Sequence, residues 1–348
     1  MSAPELYITN FNKNFTGVSA TAAAVAREQM KSMNLRMVGH QLPGCPPPIS
    51  KKEAFQLSRD APDGAKYSIW HVRRNPEMRA AIWARDVLRR PIKIVFTSSA
   101  QRLHSAYPRW LISKMDAVIA TTEKAAEFVP NVKAVIPHGV DTNLFKPAEN
   151  RAEAWKALGF GGEYGIVTAG RIRPEKGTDR FVEAMIKYLP HHPTCHALIV
   201  GKATREHQTF LTELKSKISQ SSLTDRFHFT GECSPQRMAE LLRACSLLIA
   251  LPRYEGYGVT PLEALASGTP FIGTDVGGFR GFSDDGKFGK IIGRLDPTVI
   301  ARDWMSTISD LKNEHSEAMR TFVETHFSSS KEASEINAIY RALRDQRG

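Results

Sequence analysis

Two glutamates, Glu255 and Glu263, stand eight residues apart, with the small residues Gly256, Gly258 and Thr260 between them. Glycine lets backbone N–H groups come close to a phosphate or a sugar. A helix is predicted to begin near Thr260, and free N–H groups at a helix N-terminus attract anions. Because a carboxylate can accept hydrogen bonds from two neighbouring hydroxyls, we expect Glu263 to bind a vicinal diol such as a ribose and Glu255 to lie nearer a transferred group. The alternative is an exposed loop flanked by two glutamates.

A second segment with suitable chemistry runs from Gly170 to Gly177 and has the sequence Gly-Arg-Ile-Arg-Pro-Glu-Lys-Gly. Arg171 offers a planar fork of donors and Lys176 a mobile positive charge. Each charge-assisted hydrogen bond contributes about 1.5–3 kcal/mol. Two such residues can offset most of the charge of a diphosphate without a metal ion. The alternative is a solvated, charged turn.

Two histidines follow predicted strands in the first half of the chain. His71 ends one strand and His104 lies just beyond another, and the arginines near them are Arg73, Arg74 and Arg102. Because guanidinium groups bind oxyanions, these segments predict an anion-binding rim. The pattern leaves open whether either histidine is catalytic or structural.

The elements that must position these residues alternate between β-rich and helical segments, which is typical of βαβ units and parallel sheets. The predicted strands are Leu6–Asn10, Leu35–His40, Tyr67–His71, Ile92–Ser98, Ala117–Thr121, Lys133–Pro137, Gly165–Gly170, His196–Gly201, Phe227–Thr230, Leu247–Leu251, Pro270–Thr274 and Lys290–Gly293. In open parallel sheets ligands bind beyond the carboxyl ends of strands. The candidate residues are therefore sought at strand-to-helix turns, and these include Gly17 after the first strand.

The alternating pattern breaks near Asp141–Ala154. We therefore predict an α/β protein with two Rossmann-like domains that face each other across a cleft. The first comprises residues 1–145 and the second residues 155–328. A C-terminal helix over 329–348 is predicted to pack back on the first domain.

The charge of the chain is unevenly distributed. Its 348 residues carry a formal net charge of +11, and residues 1–150 hold 21 lysines and arginines against 12 acidic residues, a balance of +9. Such an excess favours an anionic partner, which can be a nucleic acid, a membrane surface or an acidic substrate. No nucleic-acid-binding motif accompanies the charge.

The composition also indicates the cellular compartment in which the protein is expected. The four cysteines form no C-x-x-C pair and the histidines show no metal-ligand spacing, so no metal site or disulfide is expected. No stretch approaches the ~20 apolar residues that a membrane-spanning helix needs, and the N-terminus does not resemble a signal peptide. A cytoplasmic protein is expected.

Taken together, these motifs resemble the retaining glycosyltransferases of family 4, which have the GT-B fold. The Gly-Arg-x-x-x-Glu-Lys-Gly of 170–177 is similar to the diphosphate motif of that family, and Glu255–Glu263 to its Glu-x7-Glu motif. Pro137–Asp141 is similar to its Pro-Asn-Gly-Val-Asp, with His138 in place of asparagine. Gly268–Pro270 and Val276–Gly278 match its small-residue segments.

The resemblance implies a role for each of these residues. Arg171 and Lys176 would hold a diphosphate, and Glu255 would bind the hydroxyls of the donor sugar. The base pocket is expected to be backbone near Gly201 and Thr230–Glu232. The implied donor-binding residues are Gly17, Gly170, Arg171, Lys176, Gly201, Gly256, Tyr257, Gly258, Val259, Thr260 and Glu263. The catalytic candidates are Glu255, Arg171, Lys176 and His104, and the acceptor-side candidates are His71, Arg73, Arg74, Gln101 and Arg102.

The first domain further resembles the mannosyltransferases of the lipopolysaccharide core, through Asn10–Ser19, Trp70–Met78 and Thr97–His104. This resemblance implies GDP-mannose as donor, no cofactor and no metal, and an anionic glycolipid as acceptor. Basic stretches such as Arg85–Lys93 could then touch the cytoplasmic face of the inner membrane.

Three alternatives remain from the sequence. Another GT-B enzyme, such as an epimerase, a hydrolase or a transferase using a UDP- or ADP-sugar, would share the same motifs. A Rossmann dehydrogenase needs Gly-x-Gly-x-x-Gly directly after a strand, and no segment has it. A nucleic-acid-binding protein is supported by charge alone.

Overall fold

The computed structural model describes residues 3–14, 16–293, 301–302 and 315–345. It divides into two compact units. The N-terminal unit comprises Met1–Gly139 with Phe327–Gly348, and the C-terminal unit comprises Val140–His326. Residues 140–145, which the sequence prediction placed in the first domain, fall in the C-terminal unit.

The N-terminal unit is a parallel sheet with helices on both faces. Its strands are β1 (Leu6–Asn10), β2 (Leu35–Gly39), β3 (Ser68–Val72), β4 (Ile92–Ser98), β5 (Ala117–Ala120) and β6 (Val132–Val135). Its helices are α1 (Gly17–Gln29), α2 (Lys51–Leu57), α3 (Asn75–Ile82), α4 (Ala106–Ser113) and α5 (Glu123–Ala126), and a π-helical turn at Trp83–Val87 continues α3. The strand order is β2-β1-β3-β4-β5-β6.

The C-terminal unit repeats this architecture. Its strands are β7 (Tyr164–Ala169), β8 (Cys195–Val200), β9 (Phe227–Gly231), β10 (Leu247–Ala250), β11 (Phe271–Thr274) and β12 (Gly289–Ile292), in the order β12-β11-β10-β7-β8-β9. Its helices are α6 (Arg151–Leu158), α7 (Thr178–Tyr188), α8 (Gln208–Gln220), α9 (Pro235–Ala244), α10 (Thr260–Ala266), α11 (Phe279–Phe282) and α12 (His315–Phe327). All twelve predicted strands are present, within two residues of their predicted bounds.

The last helix, α13 (Ser329–Asp345), packs in the core of the N-terminal unit. Its buried side chains Ile336, Tyr340 and Leu343 join the apolar cluster that α1 forms on one face of the sheet. Burying an apolar stripe of this kind is what stabilises a helix in a folded protein.

Each sheet reverses its direction of winding at one place. Strand β3 lies on the opposite side of β1 from β2, and β10 lies on the opposite side of β7 from β8. Ligands of open α/β sheets bind beyond the carboxyl ends of the strands at such switch points. Ligand binding is therefore expected at the loops after β1 and β3 and at the loops after β7 and β10. Within the described ranges, no helix has the length and apolar character to cross a bilayer.

Candidate active site

The loop after β7 begins at Gly170 and lies directly against the end of β8. Gly201 has φ +134°, and a Cβ there would lie 2.0 Å from the carbonyl oxygen of Gly170. Only glycine permits this approach. The N–H of Gly201 donates to the carbonyl of Gly231 at 2.8 Å. The ends of β7, β8 and β9 therefore present closely packed backbone where the sequence predicts a nucleotide.

The loops after β7 and β10 are fastened to each other. Gly177 has φ +71°, and a Cβ there would lie 1.9 Å from the carbonyl oxygen of Leu251. The N–H of Arg253 donates to the carbonyl of Glu175 at 2.8 Å, and its guanidinium pairs with Asp179 at 2.6 Å. The two loops at this switch point thus form one structure.

An ion pair links the two predicted motifs. Lys176 Nζ lies 2.5 Å from Glu255 Oε2, and Glu255 Oε1 accepts a hydrogen bond from the N–H of Gly256 at 3.0 Å. The side chains of Lys176 and Glu255 are 24% and 19% exposed, so both remain accessible to a ligand. The sequence assigned these residues to different parts of a donor, and the structure places them in contact.

The segment between the two glutamates exposes backbone. Tyr257 is buried, and its ring packs edge-on against Phe282 at 5.1 Å between centroids. Only the main chain of this predicted donor-binding residue can therefore reach a ligand. Gly258 has φ +81°, and a Cβ there would lie 2.8 Å from Glu255 Cγ. The same Cβ would lie 2.5 Å from Phe279 Cε1, so glycine at 258 leaves room for both the Phe279 ring and the Glu255 side chain.

Glu263 lies in the first turn of α10, which begins at Thr260 and has Pro261 near its start. Burial raises the pKa of the Glu263 carboxyl to about 7. No described residue gives a hydrogen bond to this carboxylate, although part of the residue is exposed. A pair of hydroxyls on a ligand would supply the donors that the protein does not.

Arg171 is exposed and pairs with no described residue. It follows Gly170 on the same loop as Lys176, so one paired and one unpaired cation stand at the switch point of this unit. A diphosphate could be bound by both. Among the described residues, no three histidines, cysteines or acids are grouped as metal ligands.

In the N-terminal unit Arg74 is a structural centre. Its Nη1 donates to Asn10 at 3.1 Å and to Glu77 at 3.0 Å, and its Nη2 donates to Thr16 at 3.2 Å and Ser19 at 3.0 Å. These bonds hold the start of α1 against the ends of β1 and β3. These bonds use both terminal nitrogens of Arg74 within the protein, and the prediction that Arg74 serves the acceptor stays a prediction.

His71 lies in the core. It is fully buried, with Nδ1 2.5 Å from the hydroxyl of Tyr340 and Nε2 2.7 Å from that of Thr97. Burial, together with nearby Arg73, lowers its pKa well below the usual value. Because both ring nitrogens are bonded, the structure corrects the predicted acceptor contact of His71. Its role is to fasten α13 to the sheet.

The remaining N-terminal candidates lie between β4 and α4. Gln101 donates to Thr122 at 3.2 Å, and Arg102 is exposed. His104 is partly buried, and its Nε2 is buried without a hydrogen bond to a described residue. Burial and the charge of Arg102 lower the pKa of His104, so its imidazole is neutral near pH 7. At the start of α1, a Cβ added to Gly17 would meet no atom of a described residue within 4 Å.

Sequence reasoning missed two buried carboxylates. Glu77 accepts hydrogen bonds from Thr9, the N–H of Phe11, the N–H of Arg73 and Arg74. Its position at the third residue of α3, after Asn-Pro, was the available signal, because an acid there bonds backbone N–H groups at the helix start.

Glu332 in α13 is the second. Its carboxylate accepts from His138 Nδ1 and from the N–H of Gly139, both at 2.7 Å. Glu332 lies 194 positions after His138 and 193 positions after Gly139 in the chain, and no local sequence pattern indicates this contact.

Two doubly wound parallel sheets, with a cation–carboxylate pair at one switch point, define a two-domain α/β enzyme of the GT-B class. Residues 150–322 match the family model described as glycosyl transferases group 1. The chain belongs to the group 1 glycosyl transferases, and it is a glycosyltransferase.

Full-length relatives support this assignment. The chain is 36% identical to the lipopolysaccharide core biosynthesis mannosyltransferase LpcC of Rhizobium leguminosarum bv. viciae, over 97% of this chain and 96% of that protein. It is also 36% identical to LpsB, a mannosyltransferase of the same description from Rhizobium meliloti, over 97% of both chains. Among solved structures, Anabaena HepE in complex with UDP and glucose superposes with a TM-score of 0.81 at 15% identity, covering 98% of this chain and 100% of that one. The last similarity concerns the fold alone.

Proposed function

We propose that this protein transfers mannose from GDP-mannose, with retention of configuration, to an anionic acceptor of the lipopolysaccharide core. The observation that carries the proposal is 36% identity over nearly the whole chain to two mannosyltransferases of that description. The balance of +9 in residues 1–150 supports an anionic acceptor. No described feature other than charge favours a nucleic acid.

In the proposed mechanism the leaving diphosphate is bound by Arg171 and Lys176. Stabilising the charge that develops on a leaving group is the main electrostatic contribution to such a transfer. Glu263 holds the ribose hydroxyls and Glu255 the hydroxyls of the sugar. The departing diphosphate accepts the proton of the acceptor hydroxyl on the face where the new bond forms. No protein nucleophile is assigned.

Product analysis tests this proposal directly. The enzyme is incubated with GDP-mannose, UDP-glucose or ADP-glucose and a core acceptor that lacks its mannose. Transfer from GDP-mannose, with an α-linked product detected by NMR, is the expected result. Inversion at the anomeric carbon would contradict the mechanism, and turnover only with another donor would contradict the donor. Activity is expected to survive EDTA, because the two cations replace a metal, and strict dependence on Mg²⁺ or Mn²⁺ would contradict that expectation.

Contact with the cytoplasmic face of the inner membrane is part of the same proposal. Trp83, Val87, Tyr107 and Trp110 are each 50–53% exposed, on the turn after α3 and on α4. Helices α3 and α4 pack against each other. Exposed basic residues accompany them at Arg79, Arg89, Arg102, Arg109 and Lys114. Aromatic rings and cations together suit the interface of an anionic bilayer.

Within Arg85–Lys93, the stretch that the sequence singled out, two cations are engaged by the protein. Arg85 and Lys93 both pair with Asp116. The aromatic residues are therefore the better test. Replacing Trp83 and Trp110 by serine should reduce sedimentation with phosphatidylglycerol vesicles at least fivefold, whereas Tyr254→Ser in the C-terminal unit should not. Equal sedimentation of all three proteins would contradict the membrane contact.

A further inference from the structure

Arg73 is a buried cation whose side chain has no acceptor among the described residues. The residue is only 8% exposed, and its Nε and Nη1 are buried without a hydrogen bond to any described residue. Its backbone N–H donates to Glu77 at 2.8 Å, so the unpaired donors are those of the guanidinium. Burial lowers the pKa of Arg73, but an arginine keeps its proton in proteins. A buried charged donor without a partner is costly, and an acceptor from outside would remove that cost.

Other arginines of the same chain show what a structural role looks like. Arg74, the next residue, makes four side-chain hydrogen bonds. Arg226 donates to the carbonyls of Leu189, His192 and Cys195. The guanidinium groups of Arg74 and Arg226 are therefore bonded by the protein, whereas no described residue accepts a hydrogen bond from that of Arg73.

The carboxylates that interact electrostatically with Arg73 already accept hydrogen bonds from other groups. Glu77 and Glu332 both act electrostatically on Arg73. The oxygens of Glu77 accept from four donors around the ends of β1 and β3, and those of Glu332 accept from His138 and Gly139. Neither accepts a hydrogen bond from the Arg73 side chain. The protein thus balances the charge of the guanidinium without using its donors.

The location of Arg73 is where a sheet of this topology binds ligands. It follows the last residue of β3, which neighbours β1 at the switch point of the N-terminal unit. At the ends of the adjoining strands β4 and β5, the hydroxyls of Ser98 and Thr121 are likewise buried without a described partner. Donors without a described partner therefore lie at the carboxyl ends of three neighbouring strands.

We propose that Arg73 forms an oxyanion subsite in the N-terminal unit, where its guanidinium holds a carboxylate or phosphate of a substrate. The planar fork of arginine matches two oxygens of either group. The inference rests on the proposed function in that the anion belongs to a substrate of sugar transfer. The inference also distinguishes Arg73 from two other predicted acceptor-side residues, because the side chains of His71 and Arg74 are hydrogen-bonded within the protein.

Binding of simple anions to the full chain tests the subsite. Thermal shift and calorimetry are carried out with inorganic phosphate, glucuronate, GDP and, as the neutral control, glucose. The proteins are the wild type, Arg73→Met, Arg73→Lys and the control Arg36→Met. Arg36 lies on β2, is partly buried and donates a hydrogen bond to Asn34 at 3.1 Å. We expect anion affinity to fall at least tenfold in Arg73→Met and at least threefold in Arg73→Lys, with Arg36→Met unchanged.

The pattern of responses identifies the source of the anion. An Arg73-dependent response to glucuronate indicates an acceptor carboxylate, one to GDP indicates a donor phosphate, and one to phosphate alone indicates a phosphorylated acceptor. Arg73→Met should also melt no lower than wild type without anion, because it removes buried N–H donors that no described residue accepts. Equal anion affinity in wild type and Arg73→Lys and Arg73→Met, or no anion binding by wild type, overturns the proposal. Mannosyl transfer is measured separately, so its absence with Arg73-dependent binding intact would refute the proposed function alone.

Discussion

Lys176 Nζ lies 2.5 Å from Glu255 Oε2, and this pair bridges the loops that leave β7 and β10. The two side chains come from segments 79 residues apart in the chain. A diphosphate that approaches Lys176 would compete with Glu255 for its charge. We therefore expect donor binding to loosen the pair and to free carboxylate oxygens for sugar hydroxyls.

Breaking this pair from one side gives the first prediction. Lys176→Met removes a cation and leaves Glu255 as an uncompensated negative charge near the diphosphate. Affinity for GDP, measured by calorimetry, should fall about 10–100-fold, the equivalent of one charge-assisted hydrogen bond. Adding Glu255→Gln should recover part of the loss, because the repulsion is removed. Lys217→Met, which breaks the exposed pair with Glu183, is the control, and identical affinities in the single and double variants would contradict the coupling.

The second prediction concerns the contact between backbones. Gly177 and Gly159 have nearly the same φ, +71° and +75°, but a Cβ at 177 would lie 1.9 Å from the Leu251 carbonyl and a Cβ at 159 would meet nothing. Gly159→Ala should cost about 1 kcal/mol of unfolding free energy, the strain of a left-handed alanine. Gly177→Ala should cost at least about 3 kcal/mol, as an overpacked site with no room to yield. Urea denaturation of both variants measures the difference, and equal losses would show that the loops can separate freely.

Much of this fold is readable in the sequence because its signals are local. Apolar runs such as Leu247–Ala250 are bounded by turn residues, and parallel strands buried on both faces have that pattern. The glycines at 170, 177 and 258 also have local reasons, since each adopts a positive φ. The motifs also placed Lys176 and Glu255 after predicted strands, and the structure shows that the two side chains are in contact.

What the sequence could not provide are relationships that only tertiary structure creates. Arg73 and Arg74 are adjacent and chemically identical, yet Arg74 makes four side-chain hydrogen bonds and the guanidinium of Arg73 has no acceptor among the described residues. His71 likewise reads as a strand-end histidine, but Tyr340 from α13 bonds it, and nothing local indicates a partner so far along the chain.

Gly17 supplies the third prediction. The sequence predicts that this glycine contacts the donor, and no described residue occupies the space within 4 Å of where its Cβ would be. Gly17→Ala should therefore leave the melting temperature within about 2 °C of wild type, while a ligand that uses the space would be excluded. We expect kcat/KM for sugar transfer to fall at least tenfold. Unchanged kinetics would show that no substrate comes close to this position, and Gly281→Ala, also in open space, is the matched control.

The fourth prediction is a pH dependence centred on Glu263. Its folded pKa is raised from 4.5 to about 7 by burial, so the unliganded protein favours the protonated form below that pH. Hydroxyls donate to the carboxylate, and donor binding should therefore require loss of the proton. Affinity for GDP should increase as pH rises towards 7, by up to tenfold per pH unit, and level off above it.

Glu263→Gln separates this titration from all others. The amide cannot ionise, so the variant should bind GDP weakly with an affinity that changes little between pH 5.5 and 8. The same variant tests stability, because a carboxyl with a raised folded pKa destabilises the protein as pH rises from about 4.5 to about 7. Without ligand, Glu263→Gln should therefore gain melting temperature relative to wild type over that interval. A wild-type affinity that is flat through pH 7, or a parallel slope in Glu263→Gln, would remove Glu263 from the ribose site and leave Arg171 and Lys176 as the basis of donor binding.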